Sequence, residues 1–205
     1  CGQSGAMVAT GLLNQVKSGE GIDGVVVGID GIGSEYPKYV TGHGNYAFTG
    51  LTQGDYEVSA SKNDDYGNGV STLDLILIQK HLLGIKPFDN VYDYIAADGN
   101  GNGTISAADL FELRKLVLGV SSELSIGKSW IFIDENYEFQ NLNSPWQELS
   151  QAELIELTLI QDSYNNNFHG IKVGDVNGSA KANINSQIIE GRSDNKISLV
   201  IDDMN

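Results

Sequence analysis

The 205-residue chain holds a single cysteine, Cys1, so no disulfide can close within it. Cys1 is open to three readings: a bond to an upstream segment, a lipid attachment point, or an inert chain end. Basic residues are scarce, with 12 Lys and Arg against 27 Asp and Glu, a net charge of −15. There is no basic run of the kind that neutralises nucleic-acid phosphates, and an anionic membrane surface would repel the chain. The acidity favours cations and solubility. No apolar stretch approaches the roughly 20 residues of a membrane span, and no signal-peptide pattern is visible. The chain therefore reads as mature or as excised from something longer. The three histidines, His43, His81 and His169, are not spaced as metal ligands for one another. Gly127-Lys128-Ser129 echoes a phosphate loop, but the glycine needed five residues before Gly127 is Ser122. No carboxylate pair stands out as acid and base, so the chain is read as non-catalytic. Only 3 prolines accompany 25 glycines, a profile of many short elements joined by glycine turns.

The first third reads as β structure. Strands are expected at Met7 to Leu12, Ile22 to Ile29, Tyr39 to Thr41, Asn45 to Thr49 and Tyr56 to Ser61. The run N-Y-A-F-T-G-L-T-Q-G-D-Y-E-V alternates apolar and polar residues at period two. Several short strands at this spacing suggest a small sandwich. At about Lys62 the period changes. Residues 71–83 and 106–118 read as helices, each opened by a Ser with an Asp three positions on and each closed by a Gly. A shift of 35 residues superimposes Val70 on Ile105, Ser71 on Ser106, Asp74 on Asp109 and Gly84 on Gly119. The last third returns to strands at Ser129 to Ile133, Glu153 to Ile160 and Asn167 to Val173, with a further strand-like tail at Lys196 to Asp202. The expected fold class is mostly β with a central α pair: an N-terminal sandwich (1–62), a double loop–helix unit (63–120) and a C-terminal β region (121–205).

The chemistry sits ahead of the two helices. The second loop places Asp98, Asn100 and Asn102 at positions 1, 3 and 5, Gly103 at the sharp turn of position 6, Thr104 at 7 with its carbonyl free to point inward, and Asp109 at 12. Ile105 at position 8 suits the core between paired loops. Calcium takes six to eight hard oxygens in a flexible shell, and alternate residues of such a loop converge on one point. Asp109 in the first turn also suits the helix dipole. The first loop is poorer. Counting back from Asp74 at position 12 puts Asn63 at 1, Asp65 at 3 and the Gly69 carbonyl at 7, but position 5 is Gly67, which has no side chain to offer. Asp64, a water or a residue from elsewhere would have to compensate. A third fragment, Gly174 to Ser179 (G-D-V-N-G-S), looks like half of such a loop with no helical pattern after it. It reads first as a turn; the alternative is that Asp175 or Asn177 completes the first site. Two Ca2+ ions are thus expected, one through Asp98, Asn100, Asn102, Thr104 and Asp109, the other through Asn63, Asp65, Gly69 and Asp74.

An Asp at position 12 in both halves resembles a dockerin more than a calmodulin-type EF-hand. The segment from Gly11 to Lys62 is similar to the small sandwiches of the carboxypeptidase-regulatory or Cna-B kind, Ig-like or prealbumin-like in fold. The run K-N-D-D-Y-G-N-G-V-S-T-L-D-L-I-L-I-Q-K-H-L-L-G and its continuation I-A-A-D and D-L-F-E-L-R-K-L-V-L-G resemble the dockerin-like region of large secreted surface proteins of Bacteroidota. The pieces K-S-W-I-F-I-D, N-S-P-W and F-H-G-I-K-V-G-D-V-N-G are similar to the segments downstream of that region in those proteins. The resemblance implies an extracellular, multi-domain, adhesin-like protein and a calcium-stabilised structural module.

Two partners are expected. A dockerin implies a cohesin-like domain, although Thr72-Leu73 and Ala107-Ala108 at positions 10 and 11 differ from each other and are mostly apolar. The tail strand 196–202 suggests head-to-tail assembly by strand addition. The first helix carries Leu73, Leu75, Ile76, Leu77, Ile78, Leu82 and Leu83 almost all round, which predicts burial on more than one side and clamping against a flanking β-region.

Overall fold

A computed structural model of the chain describes residues 6–31, 34–35 and 39–183. Cys1 and the tail strand 196–202 lie outside the described residues. Period-two alternation builds the strands of the first third: β1 (Met7–Gln15), β2 (Val26–Gly31), the two-residue β3 (Ser34–Glu35) and β4 (Tyr39–Val40), β5 (Asn45–Leu51) and β6 (Gly54–Ser61). In β5, Tyr46, Phe48 and Leu51 are buried. The extra residue before Leu51 is Gly50, at φ +79°, where the pairing register against β1 shifts between Met7 and Val8. That glycine bulge returns Leu51 to the inner face.

Helices α1 (Thr72–Leu82), α2 (Val91–Ala97) and α3 (Ala107–Val117) come next, then β7 (Trp130–Asp134), a 3-10 turn at Pro145–Gln147, the short α4 (Leu149–Ala152), β8 (Leu154–Leu159) and β9 (Phe168–Lys172). The chain is thus mostly β with a central helical region, as its periodicities predict. α2 is the longest of the elements that the sequence pattern does not reveal, the others being β3, the 3-10 turn and α4. The start of α2 is a capping pair, Asn90 Oδ1 accepting from the Asp93 N–H at 2.9 Å, but at seven residues it is too short to show a helical period.

One sheet has the order β5-β1-β9-β7, with β1 and β9 parallel and the other pairs antiparallel. The other has the order β3-β2-β6-β8, with β4 also on β2. Both sheets draw strands from either side of the helices. Strands from before and after the helices therefore share both layers, where separate β-regions over 1–62 and 121–205 were expected, and the helical unit is inserted between β6 and β7. Its entry and exit are tied together: the Ser129 hydroxyl donates to the Lys62 carbonyl at 2.9 Å. Lys172 Nζ donates to the carbonyls of Tyr66 and Ser129, each at 3.1 Å.

The run W-I-F-I in β7 shows how the two parts join. Trp130 and Phe132 enter the sandwich core with Leu13, Ile29, Phe48, Val58 and Phe168. Ile131 and Ile133 face the other way, into a second core with Ile171, Val173, Leu75, Ile78, Ile95 and Leu113. A strand buried on both faces loses its polar alternation. The expected clamp of the helices on a β-region is thus found.

The expected burial of α1 on more than one side is not. Only Asp74, Leu75 and Ile78 of α1 are buried, while Leu73 is 52 % exposed, Ile76 47 % and Leu83 64 %. α1 packs on α3 and enters the second core through Leu75 and Ile78, with Leu77 partly buried against it, while Leu73, Ile76 and Leu82 are exposed. No helix among the described residues is long and apolar enough to cross a membrane.

Candidate calcium site

The two expected helix starts are built alike. Asp109 Oδ2 accepts from the Ser106 N–H at 2.8 Å and the Ser106 hydroxyl at 3.2 Å. Asp74 Oδ2 accepts from the Ser71 N–H at 2.9 Å and the Ser71 hydroxyl at 2.7 Å. Each Asp thus anchors the first turn with one oxygen and has its Oδ1 left for a partner outside the helix. Each helix closes on a glycine, Gly84 at φ +66° and Gly119 at φ +67°. The next N–H groups turn back in the same way, Ile85 to the Lys80 carbonyl and Val120 to the Lys115 carbonyl, both at 2.9 Å.

In the second loop Asp98 is the hub. Its Oδ1 accepts from the N–H groups of Gly101 at 2.9 Å and Asn102 at 3.1 Å, and its Oδ2 from Gly103 at 2.9 Å. Asn100 Oδ1 accepts from the Asn102 N–H, and Asn102 Oδ1 from the N–H and hydroxyl of Thr104. Asp109 Oδ1 closes the ring by accepting from the Asn100 N–H at 3.2 Å. Gly101 (φ +71°) and Gly103 (φ +78°) take the left-handed backbone that the tight winding demands. The structure thus brings Asp98, Asn100, Asn102, Thr104 and Asp109 onto one loop and one helix start.

Asp98 is 3 % exposed and Asp109 fully buried. Burial pushes the Asp98 carboxyl above its ordinary range, Asp109's charge adds to that, and the loop N–H groups oppose it. Among the described residues no basic side chain forms an ion pair with either. Two close, buried, unpaired carboxylates are costly in isolation and are what a bound cation relieves. Among the described residues no three His, Cys, Asp or Glu converge on one point. The donors are instead two carboxylates with amide and carbonyl oxygens, a hard set that fits calcium and suits no soft metal.

The first loop is arranged differently from the sequence expectation. Asn63 is exposed and turns its Oδ1 to the Ser129 N–H at 3.4 Å. Asp65 is exposed at φ +48°, and its carbonyl accepts from the Asn68 N–H. Asp64 pairs with Lys62 at 2.9 Å. The partner of Asp74 comes from beyond β9. Asp74 Oδ1 accepts from the Asn177 N–H at 3.1 Å and the Asn177 side-chain amide at 2.8 Å. Of the first-loop residues, Gly69 does take part, its carbonyl accepting from the Ser179 hydroxyl at 3.0 Å. Burial raises the Asp74 carboxyl, the Ser71 and Asn177 hydrogen bonds lower it, and the charge of Asp175 raises it further.

His81 and His169 lie against aromatic rings, while His43 is an exposed turn residue. His81 stacks on Phe88 with ring centroids 4.2 Å apart, and its Nδ1 accepts from the Phe88 N–H. His169 lies at the Tyr92 hydroxyl, 3.2 Å away.

Residues 64–118 match the dockerin type I domain family. Members of that family bind calcium. No curated protein and no solved structure matches the chain. The matched residues contain both helix starts and the whole of the second loop, and they end well short of Asp175.

Proposed function

We propose that the chain is a non-catalytic, calcium-stabilised structural module of an extracellular cell-surface or filament-forming protein, in which a dockerin-like unit is built into a β-sandwich. The observation that carries the reading is the second loop, where two buried carboxylates share one tightly bonded loop and helix start with Asn100, Asn102 and Thr104 and no basic side chain among the described residues forms an ion pair with them. Asp98, Asn100, Asn102, the Thr104 carbonyl and Asp109 would hold the ion, which would neutralise the two carboxylates and lock the loop to α3.

The unit also rests on Ile131, Ile133, Ile171 and Val173 of the sandwich's own strands, a seat suited to a fixed joint. Extracellular modules bind calcium at roughly 10⁻⁴–10⁻³ M, and dockerin domains occur in secreted or surface proteins. A ligand in hundredfold excess over its dissociation constant stabilises the folded state by about 2.7 kcal/mol per site. The melting midpoint should therefore fall on adding EDTA and recover with calcium. An identical melt in EDTA and in millimolar calcium would refute the reading.

A second reading is recognition of a cohesin-like partner. It is favoured by the outward apolar residues of the two repeat helices and their ends: Leu73, Leu83 and Ile85 on one, and Phe111 (60 % exposed), Leu118 (68 %) and Val120 (72 %) on the other. Exposed apolar patches of this kind mark interaction surfaces. Retention of the chain on immobilised cohesin domains in calcium, lost in EDTA, is the expected result of that reading, and no retention would sink it.

A further inference from the structure

We infer that the first calcium site is a split loop, whose front half is Asp175, Asn177 and Ser179 from the segment after β9 and whose back half is the Gly69 carbonyl and Asp74. The inference rests on the calcium reading above and changes which residues carry it.

At its hub the segment after β9 repeats the second loop. Asp175 Oδ1 accepts from the N–H groups three and four residues on, Gly178 at 2.9 Å and Ser179 at 3.0 Å. Its Oδ2 accepts from the N–H five residues on, Ala180 at 2.7 Å. Asp98 makes the same three bonds, at the same offsets, to Gly101, Asn102 and Gly103. Two residues after each hub stands an Asn whose N–H is bonded to the free oxygen of the helix-start Asp, Asn100 to Asp109 and Asn177 to Asp74. The next residue is a glycine at φ +71° (Gly101) or +76° (Gly178).

In the second loop the chain then runs on into Thr104 and α3. In the first site it leaves at Ala180, and the loop resumes on another part of the chain. A Cβ on Gly69 would sit 2.5–2.6 Å from Ala180, so the two halves abut where the continuous loop has its position 6 to 7 junction. Ser179, at the fifth position, bonds the Gly69 carbonyl at the seventh.

The donor set is complete where the sequence-adjacent one is not. Asp175 (4 % exposed) replaces the exposed Asn63, Asn177 replaces Asp65, and Ser179 supplies an oxygen where Gly67 has none. With Asp74 fully buried, this site has the same two-carboxylate, all-oxygen character as the second. The ion would then clasp the helical unit to the chain that leaves the sandwich.

Calorimetric titration of the full chain with calcium tests this. Wild type should take up two ions, Asp98→Asn one, Asp175→Asn one, and Asp65→Asn and Asn63→Ala still two. Should Asp175→Asn fold poorly, the double variant Asn177→Ala/Ser179→Ala, which leaves the hub carboxylate in place, should likewise take up one. Two ions on both front-half variants, or one on Asp65→Asn, would overturn the split site while leaving the calcium reading standing. No ion on wild type would overturn the calcium reading itself.

Discussion

The double use of strand β7 makes a strong prediction about cooperativity. Ile133 is 1 % exposed on the helix-facing side of that strand, and its neighbour Phe132, 2 % exposed, faces the sandwich core. Ile133→Ala removes three carbons, which at about 0.8 kcal/mol each is roughly 2.4 kcal/mol of lost transfer energy. The cavity left behind adds to this and places the cost at about 3–4 kcal/mol, within the span seen for such truncations. For a chain of this size that corresponds to a fall in melting midpoint of roughly 6–16 °C. Phe132→Ala should cost about 3–5 kcal/mol.

The informative quantity is which signal moves. In a Trp146→Phe background, Trp130 becomes the sole tryptophan of the chain and reports the sandwich core, while ellipticity at the helical band reports α1, α2 and α3. Urea unfolding in saturating calcium should give one transition by both probes, and each truncation should shift that whole transition. Two transitions, with Ile133→Ala moving only the helical one and Phe132→Ala only the tryptophan one, would show that the unit is a separate domain resting on the sandwich and would refute the shared-strand argument.

Two further outcomes turn on single positions. Gly11→Ala in β1 would place a Cβ 2.0 Å from the Asn166 carbonyl oxygen and 2.7 Å from the Tyr46 ring. A loss of about 1–3 kcal/mol in urea unfolding is expected, and wild-type stability would refute that close approach. Lys172 is 2 % exposed, and burial lowers its amine to about 8. The unfolded chain holds that proton up to its ordinary value near 10.5, so between those values it binds more protons than the folded chain and stability rises with pH. The gain attributable to Lys172 from pH 8 to 9.5 is about 1–2 kcal/mol. Lys172→Met should remove it, and an equal pH dependence in the variant would refute the assignment.

How much of this was legible depended on whether the signal was local. α1 and α3 announce themselves through Ser71, Asp74 and Gly84 and their counterparts Ser106, Asp109 and Gly119, all within one helix length. The strands of the first third can be read from alternation. The second loop is contiguous, and each of its expected residues lies in it. The first loop fails the count at Gly67; on the split-site reading its front half is distant in sequence, and the signal is the echo of D-G-N-G-N by D-V-N-G-S, which has no helix after it because the helix lies upstream. Strand partners left no mark at all, since nothing in β1 or β9 names the other. The apolar circumference of α1 predicted burial that Leu73, Ile76 and Leu83 do not have, because residue type reports what burial would favour and not whether a covering surface exists.

The parallel pairing of β1 with β9, Leu13 opposite Phe168, imposes an order of events on a chain made from its N-terminus. Contacts between such remote segments form slowly, since a long loop must close before they reward it. Until residues 168–170 arrive, β1 has β5 on one side and an open edge on the other, and an open edge is where unwanted pairing begins. The expected ligand residues of the second loop, Asp98 to Asp109, are contiguous and can gather early. Asp175 and Ser179 come after β9, the last strand among the described residues, so on the split-site reading the first site waits until β9 has joined its sheet. Calcium would enter one loop while the chain is still folding and the other later, a clasp fastened once β1 and β9 are paired.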